Sequence, residues 1–198
     1  MLIGLYLKLL EERVQKDSHL LLLLQHQKVK KEKARVNKLS YSDEFLKVIG
    51  HTLEKEGGYV NDPTDMGGET NFGISKRAFP KVDIKNLTEE DAKRIYFEEY
   101  WNRGKCDRVP KDIQPIYFDM CVNFGIRGAI RVLQETVDST GTKIDIDGRF
   151  GPQTEKLIQD LSPERVRSFR LLRFAKIVIS KPEQKKFWYG WYRRCKEV

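Results

Sequence analysis

Two carboxyl groups, Glu56 and Asp65, followed by the hydroxyl of Thr70, are the residues of this 198-residue chain whose types and spacing suit a reaction. They stand in the stretch Glu56-Gly57-Gly58-Tyr59-Val60-Asn61-Asp62-Pro63-Thr64-Asp65-Met66-Gly67-Gly68-Glu69-Thr70-Asn71-Phe72-Gly73-Ile74. It closes an apolar-periodic segment with a carboxylate and turns at once into a polar loop punctuated by glycine. Cleaving a glycosidic bond needs one carboxyl group to protonate the leaving oxygen. A second polar group positions or activates water, or stabilises the positive charge that develops on the sugar. Glu56 and Asp65 can divide that work if the loop folds back over them, with Thr70 holding a water or orienting the aspartate. Each residue also has a plainer reading: Glu56 as an exposed acid at a helix end, Asp65 as a turn cap, Thr70 as a β-branched residue of a short strand.

The elements that must carry these side chains follow from periodicity. Phe45, Val48, Ile49, Thr52 and Leu53 keep the three-and-four rhythm of an amphipathic helix, with Ser42 or Asp43 as its N-cap. Gly57 and Gly58 stop that helix just past Glu56. A carboxylate there faces the negative end of the helix dipole, which disfavours its ionised form and suits it to donate a proton. Residues 59–74 read as turns with a short hairpin. Thr88 with Glu90 and Asp91 opens a helix in the manner of a capping box. Its aromatics include Tyr100 and Trp101, either of which lines a sugar subsite or belongs to the core.

A further helix runs through Ile116, Phe118, Met120, Cys121 and Val122 and ends at Asn123-Phe124-Gly125, with Asp119 and Asn123 on one face. Another covers Gly128–Val137, with Ala129, Val132, Leu133 and Val137 inward. The loop of residues 141–151 holds Asp145-Ile146-Asp147-Gly148, a faint echo of a calcium loop without its downstream glutamate. It reads better as a turn before a helix at Pro152–Asp160. Ser162-Pro163 starts a long helix through Val166, Phe169, Leu172, Phe174 and Ile177. Arg165, Arg167, Arg170 and Arg173 decorate it as a solvated basic face or as contacts to anionic wall polymer. After Lys181-Pro182, a last helix rich in Phe187, Trp188, Tyr189, Trp191 and Tyr192 is expected to close the core.

Composition narrows the classes. The formal net charge of +8 is concentrated at the two ends, around an acidic middle that argues against a nucleic-acid groove at the motif. Three cysteines, Cys106, Cys121 and Cys195, and three histidines form neither a disulfide framework nor a metal-ligand pattern, and the cysteines read as buried or half-buried thiols. No nucleotide-binding, serine-nucleophile or zinc-hydrolase signature occurs. The apolar start of the chain lacks the marks of a signal peptide, and Leu20–Leu24 is too short to span a bilayer. Residues 1–40 read as a basic helical arm, either solvated or lying on a membrane surface or partner.

The run Glu56-Gly57-Gly58-Tyr59, Asn61-Asp62-Pro63, Asp65, Gly67-Gly68, Thr70 and Gly73-Ile74 resembles the glycoside hydrolase family 108 lysozymes. Asp119, Asn123-Phe124-Gly125, Gln134 and Asp147-Gly148-Arg149-Phe150-Gly151-Pro152-Gln153-Thr154 are similar to the peptidoglycan-binding region that follows that catalytic domain. The resemblance implies a mainly α, lysozyme-like fold with a small glycine-rich loop or hairpin at the cleft. It implies a catalytic domain over residues 41–125 and a peptidoglycan-binding helical region over 126–198 packed on it, beyond the 1–40 arm that matches neither. The implied activity is hydrolysis of the β-1,4 bond between N-acetylmuramic acid and N-acetylglucosamine. Glu56 would be the proton donor, with Asp65 and Thr70 managing water and charge, and Tyr59, Asn71, Tyr100, Asp119 and Asn123 would bind substrate. Asn123 would hold an N-acetyl sugar through an amide that both donates and accepts, or it caps its helix. No cofactor or metal is expected, and the partner is bacterial peptidoglycan rather than nucleic acid. The chain is expected to be a monomer without an integral membrane span, made in a host cytoplasm and acting on the wall as a phage endolysin. A lytic transglycosylase and a non-catalytic wall-binding or secretion-accessory module are the alternatives.

Overall fold

Ser42 caps the first helix, its hydroxyl accepting the Phe45 N–H at 3.3 Å, so that α1 (Asp43–Lys55) starts with Asp43 and Glu44 in the turn where acids suit the helix dipole. A computed structural model describes residues 22, 41–55, 58–61 and 68–198. The chain divides into Met1–Tyr41 and a second compact unit, Ser42–Val198, which holds all the elements treated below. The expected basic arm apart from Leu22, together with Glu56 and Asp65, lies outside the described residues.

The α1 face carrying Phe45, Val48, Ile49 and Thr52 is buried, as its spacing requires. Beyond it, β1 (Thr70–Asn71) and β2 (Ile74–Ser75) form an antiparallel hairpin, with Thr70 opposite Ser75 and Asn71 opposite Ile74. Both residues of the connecting turn have left-handed backbones, Phe72 at φ 49° and Gly73 at φ 73°. That pairing matches the twist of a tight hairpin, but it is uncommon for a phenylalanine. The turn is held from outside by the Tyr96 hydroxyl, which donates to the Phe72 carbonyl at 3.0 Å.

Thr88 then caps α2 (Glu89–Tyr96), accepting the Asp91 N–H at 3.2 Å, and the helix runs on as a wider, π-type turn over Phe97–Asn102. A 3-10 turn at Cys106–Arg108 leads to α3 (Gln114–Asp138), which is broken at Gly125, where φ 71° and ψ 158° are not helical. The glycine end of the first expected helix is thus real, although little chain separates the two arms. The remaining helices are α4 (Pro152–Leu157), α5 (Pro163–Ser180, capped by Ser162), a 3-10 turn at Pro182–Phe187, and α6 (Trp188–Glu197). The architecture is mainly helical with one small hairpin.

The core on the hairpin side is an edge-to-face aromatic cluster. Phe45 sits at its centre, with ring centroids 5.0 Å from Phe97, 5.3 Å from Trp101 and 6.1 Å from Phe118. Trp101 is fully buried and donates its indole N–H to Asp107 at 2.9 Å, which assigns it to the core rather than to a sugar subsite. Cys106, Cys121 and Cys195 are all buried free thiols. Burial pushes the Cys106 and Cys195 thiols upward, which leaves them un-ionised.

Two expectations for the C-terminal third are corrected. The inward stripe of α5 is Val166, Arg170 and Phe174, with a fully buried arginine at its middle, while Leu172 is exposed. A carboxylate on α3 meets that arginine and makes its burial possible. The aromatics of the last segment do not all close the core: Trp191 stacks on Phe174 at 4.7 Å, but Tyr189 is 71% exposed and Phe187 and Tyr192 also face solvent. Their helix is short and follows a 3-10 turn, so only one side of it meets α5.

The loop between α3 and α4 is organised by buried Gln134. Its amide donates to Asp147 Oδ1 at 2.9 Å and its carbonyl accepts the Gly148 N–H at 2.8 Å. Asp147 also accepts the Arg149 N–H at 2.8 Å, which makes it the turn expected before α4. Gly148 has φ 72°, and a Cβ there would lie 2.9 Å from the Arg127 carbonyl oxygen. Gly148→Ala should therefore cost about 1–3 kcal/mol, read as a lowered urea midpoint. The Gln134 amide, and then the Arg149 N–H, hold the Asp147 carboxyl below the usual carboxylate range. Its contribution to stability is complete above that range and is lost as pH falls through the lowered native value. Asp147→Asn should flatten the acid-side decline in stability, measured as urea midpoint against pH.

Candidate active site

Described structure lies on both sides of the stretch expected to carry the catalytic groups. At one end α1 stops at Lys55, the residue before Glu56 in the chain. At the other, Val60 bridges Thr70, each N–H donating to the other's carbonyl at 2.8 Å. Thr70 therefore lies between two neighbouring strands, Val60 on one side and Ser75 on the other. Its half-buried hydroxyl has one long contact, donating to the Gly68 carbonyl at 3.4 Å. Tyr59, 40% exposed, presents its ring to solvent on the incoming segment.

Asn71 is placed differently. It is buried, and its side-chain amide donates to the carbonyls of Ile84 at 3.1 Å and Leu87 at 3.4 Å. The contacts are structural: they tie the hairpin to the chain that leads into α2. The nearby loop is also held by Lys76, whose ammonium donates to the Val82 carbonyl at 2.8 Å.

Tyr100 is half-buried on the π-type turn, with its ring 5.7 Å from that of Tyr96. Burial and the adjacent Glu99 push its hydroxyl upward, so it remains a neutral donor. Tyr100 lines an open groove of about 440 Å³ together with Phe79, Arg103 and the Phe124–Gly128 break of α3. A second cavity, about 300 Å³, lies where Val48 and Thr52 of α1 face Pro115 and Asp119 of α3 and Arg194 of α6.

Asp119 is the most heavily engaged of the expected site residues that are described. Arg170 Nη2 donates to Asp119 Oδ2 from a fully buried position. Arg194 Nε reaches both oxygens, 2.9 Å from Oδ1 and 3.2 Å from Oδ2, and its Nη2 lies 2.7 Å from Oδ1. Asn123, one turn on, donates its amide to the Asp119 carbonyl at 2.6 Å and to Oδ2 at 3.1 Å. The carboxylate is thus spent on two guanidinium ions and an amide, and Asn123 is the exposed end of the cluster.

Sequence reasoning missed Arg170 and Arg194. A signal for Arg170 was present, because it falls four residues from both Val166 and Phe174 on the inward stripe. Among the described residues, no group of three or more His, Cys, Asp or Glu is arranged to hold a metal ion.

Comparison with known proteins assigns the two halves. Residues 49–125 match the model of glycosyl hydrolase family 108, and residues 128–196 match a predicted peptidoglycan domain. The chain carries a family 108 glycosyl hydrolase domain. Among solved structures it is similar to SagA of Brucella abortus, at 28% sequence identity over 77% of this chain and 90% of that one, with a TM-score of 0.65. No curated protein matches it. The family 108 segment begins within α1, takes in the hairpin, α2 and the first arm of α3, and ends at the Gly125 break. The Asp119 cluster joins this hydrolase segment to the peptidoglycan domain, which contributes Arg170 and Arg194.

Removing the aspartate leaves two guanidinium ions facing each other, one of them without access to water. Asp119→Ala should cost about 3–5 kcal/mol of unfolding free energy. Arg193→Ala, which breaks an exposed pair with Glu197 one helical turn away, should cost no more than about 0.5 kcal/mol by the same urea titration.

Proposed function

We propose that this hydrolase cleaves the β-1,4 bond between N-acetylmuramic acid and N-acetylglucosamine in peptidoglycan. The observation that carries the reading is the joining, in one chain, of a family 108 hydrolase domain to a peptidoglycan domain. Glu56 is the proton donor to the leaving oxygen, since it follows the last residue of α1, where the helix dipole favours a protonated carboxyl. Asp65 and Thr70 position water and stabilise the oxocarbenium-like charge, Thr70 from the centre of the small sheet. Tyr59, Tyr100 and Asn123 form the sugar-binding face, supported by their partial or full exposure. Asn71 and Asp119 serve this site as positioning residues, through the hydrogen bonds that occupy them. On the strength of the family resemblance, the setting is lysis of a bacterial host by a phage endolysin. The enzyme is made in the cytoplasm and acts on the wall.

The test uses isolated peptidoglycan sacculi with wild-type protein and Glu56→Gln, the released fragments being identified by mass spectrometry. Reducing muramic acid ends are expected from wild type. Glu56→Gln should be slower by on the order of 10²–10⁴, the usual worth of a general acid. Anhydro-muramic ends would make the protein a lytic transglycosylase. Intact sacculi with folded wild type would leave a wall-binding module in its place.

A further inference from the structure

We infer that the groove beside the Gly125 break takes the peptide stem of peptidoglycan, with Arg127 pairing with its carboxylates. The inference rests on the peptidoglycan reading above and assigns a part of that polymer to a groove that shares only Tyr100 with the sugar-binding face proposed there. The groove exists because α3 does not continue. At Gly125 the backbone leaves the helical region, and the chain from Phe124 to Gly128 forms one wall facing Phe79, Tyr100 and Arg103. The site sits where the hydrolase match ends and the peptidoglycan match begins.

Charge selects the stem over the sugar. Arg103 is neutralised by Glu99, one turn before it. Arg127 is not neutralised: it is exposed, and its one head-group bond among the described residues is a long one, Nη2 to the Asp147 carbonyl oxygen at 3.4 Å. The Asp147 carboxylate itself is occupied by Gln134 and the Arg149 N–H. Arg131, one turn further along α3, is also exposed, and no carboxylate pairs with it among the described residues. The groove therefore combines the rings of Phe79, Tyr100 and Phe124 with an unspent guanidinium charge at one end. The N-acetyl sugars of peptidoglycan are uncharged, and the lactyl carboxyl of muramic acid is consumed in the amide that attaches the stem. Free carboxylates on the strand belong to the peptide, and guanidinium binds carboxylate in a planar, two-bond geometry. Small apolar stem side chains suit the aromatic walls.

Binding should be measured on full-length Glu56→Gln protein, so that no turnover intervenes, by calorimetric titration with two ligands. One is N-acetylglucosaminyl-N-acetylmuramyl tetrapeptide and the other is the same disaccharide without peptide. The tetrapeptide ligand should bind on the order of tenfold more tightly. Adding Arg127→Gln should remove that advantage while leaving disaccharide affinity and the thermal midpoint unchanged. Adding Arg193→Gln, a distant surface arginine, should change neither affinity. Equal affinity for the two ligands, an Arg127→Gln effect of the same size on both, or no binding of either would each overturn the inference. The hydrolase reading is judged separately, by fragments released from sacculi by wild type. A stem preference without cleavage would keep this inference and sink that one, and cleavage without stem preference would do the reverse.

Discussion

One carboxylate holds the two halves of this molecule in register. Asp119 lies on the first arm of α3, inside the hydrolase segment, and the guanidinium groups that meet it come from α5 and α6 in the peptidoglycan domain. Desolvating Arg170 completely is affordable only if an opposite charge is fixed beside it, and a flexible surface acid could not serve. Asp119 is fixed because the helix carrying it is anchored on both flanks. Phe118 enters the aromatic cluster, and Tyr117 donates its hydroxyl to the Gly104 carbonyl at 2.9 Å. The packing of α3 against α5, the most extensive helix contact among the described residues, includes that anchored charge beside its apolar burial. The ion cluster also reaches the surface. Through Asn123 it orders an exposed amide whose orientation would otherwise be free, so a buried stabilising contact and a candidate sugar contact belong to one network.

The hairpin side obeys a different constraint. Strands of two residues cannot stabilise themselves, and an isolated hairpin of any length is marginal in water. This one is held by groups outside it: the Val60 bridge on its outer edge, the Tyr96 hydroxyl on its turn and the Ile84 and Leu87 carbonyls that accept from the Asn71 amide. The left-handed Phe72 is tolerable because its carbonyl is captured. The hairpin is thereby held by the helices and loops around it rather than by its own two short strands.

The helices were legible because their signals are local. Ser42, Thr88 and Ser162 cap the helices they precede, and the buried positions of α1 and of the second arm of α3 are those that a three-and-four rhythm selects. What could not be read depends on partners far away in sequence. Asn71 looks like a polar loop residue until the carbonyls of Ile84 and Leu87 are found above it, and Arg170 looks like part of a basic face until Asp119 appears 51 residues earlier. Composition misled in the last helix for the complementary reason. Aromatic richness measures how much apolar surface a segment has, not how much of it a neighbour covers, and α6 turns Tyr189 and Tyr192 to solvent.

The Gly125 break reconciles these two regimes. The arm of α3 before it must aim Phe118 and Asp119 in different directions, into the aromatic cluster and toward the peptidoglycan domain. The arm after it must bury Ala129, Val132 and Leu133 and still deliver Gln134 to the Asp147 loop. A single straight helix fixes the angle between any two side chains by their separation, so it satisfies both arms only by coincidence. One residue at φ 71° resets that angle, and glycine takes such a backbone at no steric cost. The same reset opens the groove between Tyr100 and Arg127. The feature that lets two domains share one helix is therefore also the one that leaves a concave surface where they join.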